Sequence, residues 1–156
     1  MGRVLLALSL LTGSGGTAGS GSFAVVVHHS NPNTNLPFAD LRAFFAGAAK
    51  QWPNGSRVVL VERDSGSAAY QFLLGRVLRM SAGEYKRHLA SIEFAGEAPV
   101  TLKILNSERA ACKFVFNVPG SIALVETISL QLPECSGVAT VKIDGRLPDQ
   151  EGYRLQ

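Results

Sequence analysis

The sequence of 156 residues has only two cysteines, two methionines and one tryptophan, and just 17% of it is charged. It contains no CxxC pair and no cysteine–histidine spacing of the zinc-binding kind. GxSxG, HExxH and Walker patterns are missing, which removes the α/β-hydrolase, zinc-protease and P-loop chemistries. The net charge is only +3. Its basic residues, among them Arg57, Arg63, Arg76, Arg79, Lys86 and Arg87, are interleaved with apolar and acidic ones. That is not the one-sided basic footprint of a nucleic-acid binder, so no nucleic-acid partner is expected. No apolar run approaches the roughly 20 residues of a membrane-spanning helix. Internal repeats are absent as well.

What is present begins with a leader-like pattern. Met1-Gly2-Arg3 is a short basic start, Val4 to Leu11 is apolar except for Ser9, and Thr12 to Ser22 is built of Gly, Ser, Thr and Ala. That is the order of a secretory signal peptide. Residues 1–22 are therefore expected to be a leader and cleavage region, with Gly16 and Ala18 suited to cleavage after Ala18. Residues 23–156 would remain as a single soluble periplasmic or extracytoplasmic domain. Roughly 135 residues suffice for one core and not for two. In an oxidising compartment Cys112 and Cys135 are a disulfide candidate, with two buried free thiols as the alternative.

The periodicity points to an α/β fold. Phe23 to His28 is a continuous apolar, β-branched run of the buried-strand type. Leu41, Phe44, Phe45 and Ala48 share one helical face that Gly47 ends. Trp52-Pro53-Asn54-Gly55 is a turn signal, and Asn54-Gly55-Ser56 is better read as that turn than as a glycosylation acceptor. Strands are expected over Arg57–Glu62, Val100–Leu105, Ser121–Val125 and Val138–Ile143. Helices are expected from near Ser65–Ser67, from Ser81 and from Ser107. Ser81 and Glu84 make a capping-box pattern, with Met80 and Tyr85 at the staple positions. Strands alternating with helices predict a mostly parallel or mixed sheet flanked by helices.

The segment Val61-Glu62-Arg63-Asp64-Ser65-Gly66-Ser67 runs off a strand into a helix. Ligands of α/β sheets collect beyond the carboxyl ends of strands, and a helix start offers unpaired N–H groups to an anion. Ser65 and Ser67 add hydroxyls, Gly66 permits close backbone approach, and the Arg63 fork suits two oxygens of a tetrahedral anion. Serine and aspartate are equally ordinary helix caps. Ser30 and Asn31 follow the first strand and are expected at the same sheet edge as Ser65, which makes Ser30 a second candidate donor. His28 and His29, as neighbours on a strand, are expected to point apart rather than converge on a metal. His88 falls on an apolar helical stripe and reads as a packed histidine. Glu62 and Asp64 are too unspecific to be named an acid–base pair.

Several of these segments, taken in order, carry a family resemblance. They are Val25-Val26-Val27 with Ser30-Asn31-Pro32, then Leu41-Arg42 with Phe44-Phe45-Ala46-Gly47. Trp52-Pro53-Asn54-Gly55 with Arg57-Val58 follows, then Arg63 with Ser65-Gly66-Ser67 and Phe72. Phe94-x-Gly96 and Val118-Pro119-Gly120-Ser121-Ile122-Ala123 complete the set. In this order and spacing the chain resembles the phosphate-binding members of the type II periplasmic binding proteins, the solute-capture components of phosphate ABC transporters. The resemblance implies one lobe of such a receptor, binding phosphate or a related small oxyanion without catalysis or cofactor. It nominates Arg63, Ser65, Gly66 and Ser67 as ligand residues. A membrane permease, a sensor or a second copy completing the cleft is the implied partner. The rival expectation is an interaction or structural module that keeps the fold without the ligand. The chain is about half as long as the full receptors and lacks most of one lobe. Ala68 and Ala123-Leu124 replace residues the family favours, and His88 stands near a family tryptophan.

Overall fold

The computed structural model describes residues 21–156. All but the last two residues of the expected leader, and its cleavage site after Ala18, lie outside the described residues.

Strand β1 (Phe23–Val27) is followed by the short β2 (Asn35–Leu36) and helix α1 (Phe38–Phe45). Next come β3 (Val59–Arg63) and α2 (Ala68–Phe72), which continues as a π-helical turn over Leu73–Leu78. The chain then forms α3 (Ala82–Phe94), β4 (Leu102–Leu105), α4 (Glu108–Asn117) and β5 (Ser121–Glu126). Two 3-10 turns, Thr127–Gln131 and Pro133–Cys135, lead to β6 (Ala139–Ile143). The expected α/β class and the mixed sheet with flanking helices are present.

All six strands form one sheet in the order β2-β6-β1-β5-β3-β4. β3 runs parallel to both β4 and β5, and β2 runs parallel to β6. β1 is antiparallel to both its neighbours, β5 and β6. The carboxyl ends of β3, β5 and β6 therefore share one edge with the start of β1.

The strands alternate their side chains between two cores. Phe23, Val25, Val27, Leu60, Ile122, Leu124, Val141 and Ile143 face α1, α2 and α3, where Leu41, Phe44, Phe45, Leu73 and Tyr85 meet them. Ala24, Val26, Val61, Ala123 and Val125 face α4 through Ala111, Cys112 and Val115. Small residues dominate this second side, so α4 packs close. Because β1 is buried on both faces, its sequence is apolar throughout.

The local signals are realised where they are strongest. Ser81 accepts from the Glu84 N–H at 3.1 Å while Glu84 accepts from the Ser81 N–H at 2.7 Å, completing the capping box of α3. Ser107 caps α4 by accepting from the Ala110 N–H at 3.1 Å. Helix α1 begins earlier than its apolar stripe suggests. Its first N–H, from Phe38, donates to the Asp144 carboxylate at 3.0 Å, a cap supplied from the end of β6. Ala48 lies past its end and is exposed, because the chain has already turned at Gly47 with φ of 73°. The Trp52–Gly55 turn is tied to the other side of the sheet: the Trp52 indole donates to the Gly120 carbonyl at 2.9 Å. Cys112 and Cys135 are joined in a disulfide, as the sequence led one to expect.

Candidate functional site

Arg63 ends β3, and its side chain emerges on the α4 side, one residue after the inward-facing Glu62. The α4 side is also where β4 delivers Ser107 and Glu108. Arg63 Nη1 donates to Glu108 Oε1 in a very close ion pair. Arg63 Nη2 donates to Asp64 Oδ1 at 3.2 Å and to the Asn106 carbonyl at 3.5 Å. The second Glu108 oxygen accepts from the Glu126 N–H at 3.2 Å. Burial raises the Glu108 carboxyl above its ordinary range, partly offset by the Arg63 charge and the Glu126 N–H. The Arg63 Nε has no partner among the described residues although it is buried. The guanidinium thus faces two carboxylates, and its one unpartnered donor is buried away from solvent.

Ser67 is the N-cap of α2: its hydroxyl oxygen accepts from the Tyr70 N–H at 3.1 Å. Its own O–H proton remains available. Ser65 and Gly66 form the exposed bend before it, where the Ser67 N–H donates to the Asp64 carbonyl at 3.0 Å. The Gln71 amide holds the bend by donating to the Ser65 carbonyl at 2.8 Å. Arg63, Ser65, Gly66 and Ser67 are consequently gathered at one sheet edge.

Ser30 is not among them. β1 runs antiparallel to β5 while β3 runs parallel to it, so the residues after β1 emerge at the opposite edge. Five strand residues separate the two edges, about 15 Å at the usual rise. Ser30 instead pairs with His28 Nδ1 at 2.7 Å. The two histidines also depart from expectation. β1 has ended at Val27, so strand alternation no longer applies, and the His28 and His29 rings lie 4.1 Å apart. Burial first, and His29 second, lower the His28 pKa. His88 is half-buried, with Nε2 2.7 Å from the Ala46 carbonyl. Among the described residues no cluster of metal-ligating side chains occurs.

A recess of about 350 Å³ adjoins the site on the other face of β3, lined by Glu62, Arg63, Ser65, Tyr70, Tyr85 and Lys86 among others. Glu62 is only 4% exposed, and burial pushes its carboxyl up to about 7 against the opposing effect of the Tyr85 hydroxyl. Tyr85 sits between two oxygens, the Phe45 carbonyl at 2.9 Å and Glu62 Oε1. Motif reading passes over this pair. Its one signal is position: Glu62 lies two residues after inward-facing Leu60, and strand alternation turns it inward too.

No protein-family model and no curated protein sequence matches the chain. Solved structures do. PstS from Borrelia burgdorferi superposes with a TM-score of 0.70 at 13% identity, over 86% of this chain and 54% of that one. An ABC-type phosphate transport receptor from Vibrio cholerae gives 0.64 at 17% identity, over 82% and 48%. The phosphate binding protein of Stenotrophomonas maltophilia gives 0.59 at 14% identity, over 83% and 40%. The chain spans about half the length of the solved structures it matches, and its α/β fold, a mixed sheet flanked by helices, is shared with about half of each.

Proposed function

We propose that the chain is an extracytoplasmic, non-catalytic solute-binding domain that captures phosphate or a related small oxyanion. The observation that carries this reading is the gathering of Arg63, Ser65, Gly66 and Ser67 where β3 meets α2, within a fold shared with phosphate-binding proteins. The Ser67 hydroxyl would donate to the anion, and Arg63 would do so once its fork is released by Glu108. Release to a membrane permease or sensor would follow, with export by the leader placing the domain in the periplasm.

A second reading, an interaction module that keeps the fold without the ligand, draws on Glu108 and Asp64. Their carboxylates already occupy the Arg63 fork. The two readings separate by titration. Glu108 takes up a proton more readily than an ordinary carboxylate, and its protonation releases Arg63. Sulfate keeps its charge between pH 5 and 8, so its binding should strengthen as pH falls if Arg63 receives it. Calorimetric titration should show saturable binding that is lost in Arg63→Ala, and a Glu108→Gln variant should bind about tenfold more tightly at neutral pH. No saturation by millimolar phosphate or sulfate, with the protein folded by circular dichroism, would favour the interaction module.

A further inference from the structure

Most arginines of the described chain are exposed singly, but three of them line one recess. It has a volume of about 450 Å³ and is bounded by Phe38, Gly75, Arg76, Arg79 and Arg154. It lies beside α1 and the π-helical turn, on the opposite face of the sheet from the Arg63 side chain. Among the described side chains, Asp144 is the one carboxylate paired with any of the three, at 3.2 Å from Arg154. The same Asp144 carboxylate also accepts from the Phe38 N–H. Arg154 is held further by stacking, its guanidinium carbon 4.2 Å from the Phe38 ring centroid. Arg76 donates to a main-chain oxygen of Gln156, the last residue of the sequence, at 3.1 Å, and neighbouring Arg42 donates to the Leu78 carbonyl at 3.4 Å. Arg79 has no ion-pair partner among the described residues. Among the described side chains the recess therefore gathers three guanidinium groups against one carboxylate, unlike the Arg63 fork.

The backbone at this recess is also unusual. Gly75 and Arg76 lie within the π-helical turn, a rare conformation that recurs at functional sites. The turn ends on Arg79 in the left-handed conformation, with φ of 55°. Among the described residues with positive φ, the others are glycines and Asp144. Glycine is the residue that such a helix end favours. Arginine there costs backbone free energy and gains no ion pair within the protein. Such outliers cluster where a ligand is held.

We propose that this recess binds a phosphomonoester-type dianion, received by Arg76 and Arg79, with Arg154 preset by Asp144 and Phe38. Guanidinium forks match two oxygens of such a group, and stacked Arg154 loses little freedom on meeting it. The group can be free phosphate or a lipid headgroup, since the chemistry presented to the arginines is the same. This proposal does not depend on the Arg63 site.

The test compares wild type with Arg79→Gly, Arg76→Ala and Arg63→Ala in two arms. One is calorimetric titration of inorganic phosphate at low salt, and the other is co-sedimentation with phosphatidic acid in phosphatidylcholine vesicles. Arg79→Gly should raise the thermal midpoint, because glycine relaxes the backbone, and yet weaken binding about tenfold in one arm. A residue with a purely structural role would not move stability and affinity in opposite directions. Arg76→Ala should weaken the same arm, whereas Arg63→Ala should remove only a separate phosphate-binding step and leave the step that Arg79→Gly and Arg76→Ala weaken. Binding abolished by Arg63→Ala but untouched by Arg79→Gly and Arg76→Ala would overturn the recess and leave the Arg63 reading standing. Absence of binding in both arms would overturn it too.

Discussion

Tyr85 has one hydroxyl proton and two oxygens within reach, and that count fixes the chemistry of its neighbour. The Phe45 carbonyl can only accept, so Tyr85 donates there. When protonated, Glu62 can donate to the Tyr85 oxygen; when ionised it competes with the Phe45 carbonyl for the Tyr85 proton, which holds its pKa down while burial raises it from 4.5 to about 7. Tyr70 is raised too, by burial and by Glu62. The consequence is a pH-dependent stability. Between the unfolded value near 4.5 and the folded value of about 7 the folded state keeps a proton that the unfolded chain releases. Stability from this group is complete below the lower value and is lost as pH rises through the upper one. The full difference is about 3 kcal/mol. Glu62→Gln keeps an N–H donor and cannot ionise. Urea unfolding should find the variant more stable than wild type near pH 8 by up to about 3 kcal/mol, with the gap closing near pH 5. Equal pH slopes for the two proteins would exclude Glu62 as the titrating group.

Elements differ in how far a sequence announces them, and the difference follows the range of the interactions involved. The α3 capping box is complete within Ser81–Glu84, and the Ser107 cap within Ser107–Ala110, so both are legible from the residues. Leu41, Phe44 and Phe45 likewise announce the buried face of α1, but its start depends on Asp144, 106 residues away, which periodicity cannot reveal. The direction of β1 is hidden for the same reason. It depends on pairing with β5 across about a hundred residues, and that pairing carries Ser30 to the wrong edge for a site at Ser65. Arg63, Ser65, Gly66 and Ser67 are legible because one short segment holds them all. Glu108 is not, because only the parallel pairing of β3 with β4 sets it beside Arg63. The disulfide is another long-range tie, linking α4 to the Pro133–Cys135 turn across 23 residues and enclosing β5. Closing a loop of that length stabilises by about 3 kcal/mol on the chain-entropy model. A Cys112→Ala/Cys135→Ala variant should lose about that much in denaturant unfolding. A loss below about 1 kcal/mol would mean the unfolded chain gains little freedom when the bond is removed. Gly120 closes the opposite end of the sheet, with φ of 80° and no room for a Cβ, which would clash with the Arg57 carbonyl oxygen. The Trp52 indole bond depends on that same turn.

At the scale of the whole molecule, the two cores share one sheet, and β1 contributes to both. Closing on a ligand by hinge bending needs two bodies that move against each other, and the described residues offer a single sheet instead. Capture by this chain alone must therefore leave the anion open to water on one side. Charge-assisted contacts are weaker there than in an enclosed site, and salt screens them. Two solution signatures follow. The described residues should have a radius of gyration of about 14 Å, and small-angle scattering should find that value unchanged by saturating phosphate. Affinity should also fall as ionic strength rises from about 0.01 M to about 1 M, over which the Debye length shortens from about 30 Å to about 3 Å, the length of the contacts. A ligand-dependent rise in scattering mass would instead show that a second copy closes over the anion, making the dimer the receptor. A salt-insensitive affinity at constant mass over that range would contradict the open site, because a desolvated charge pair is screened much less than an exposed one.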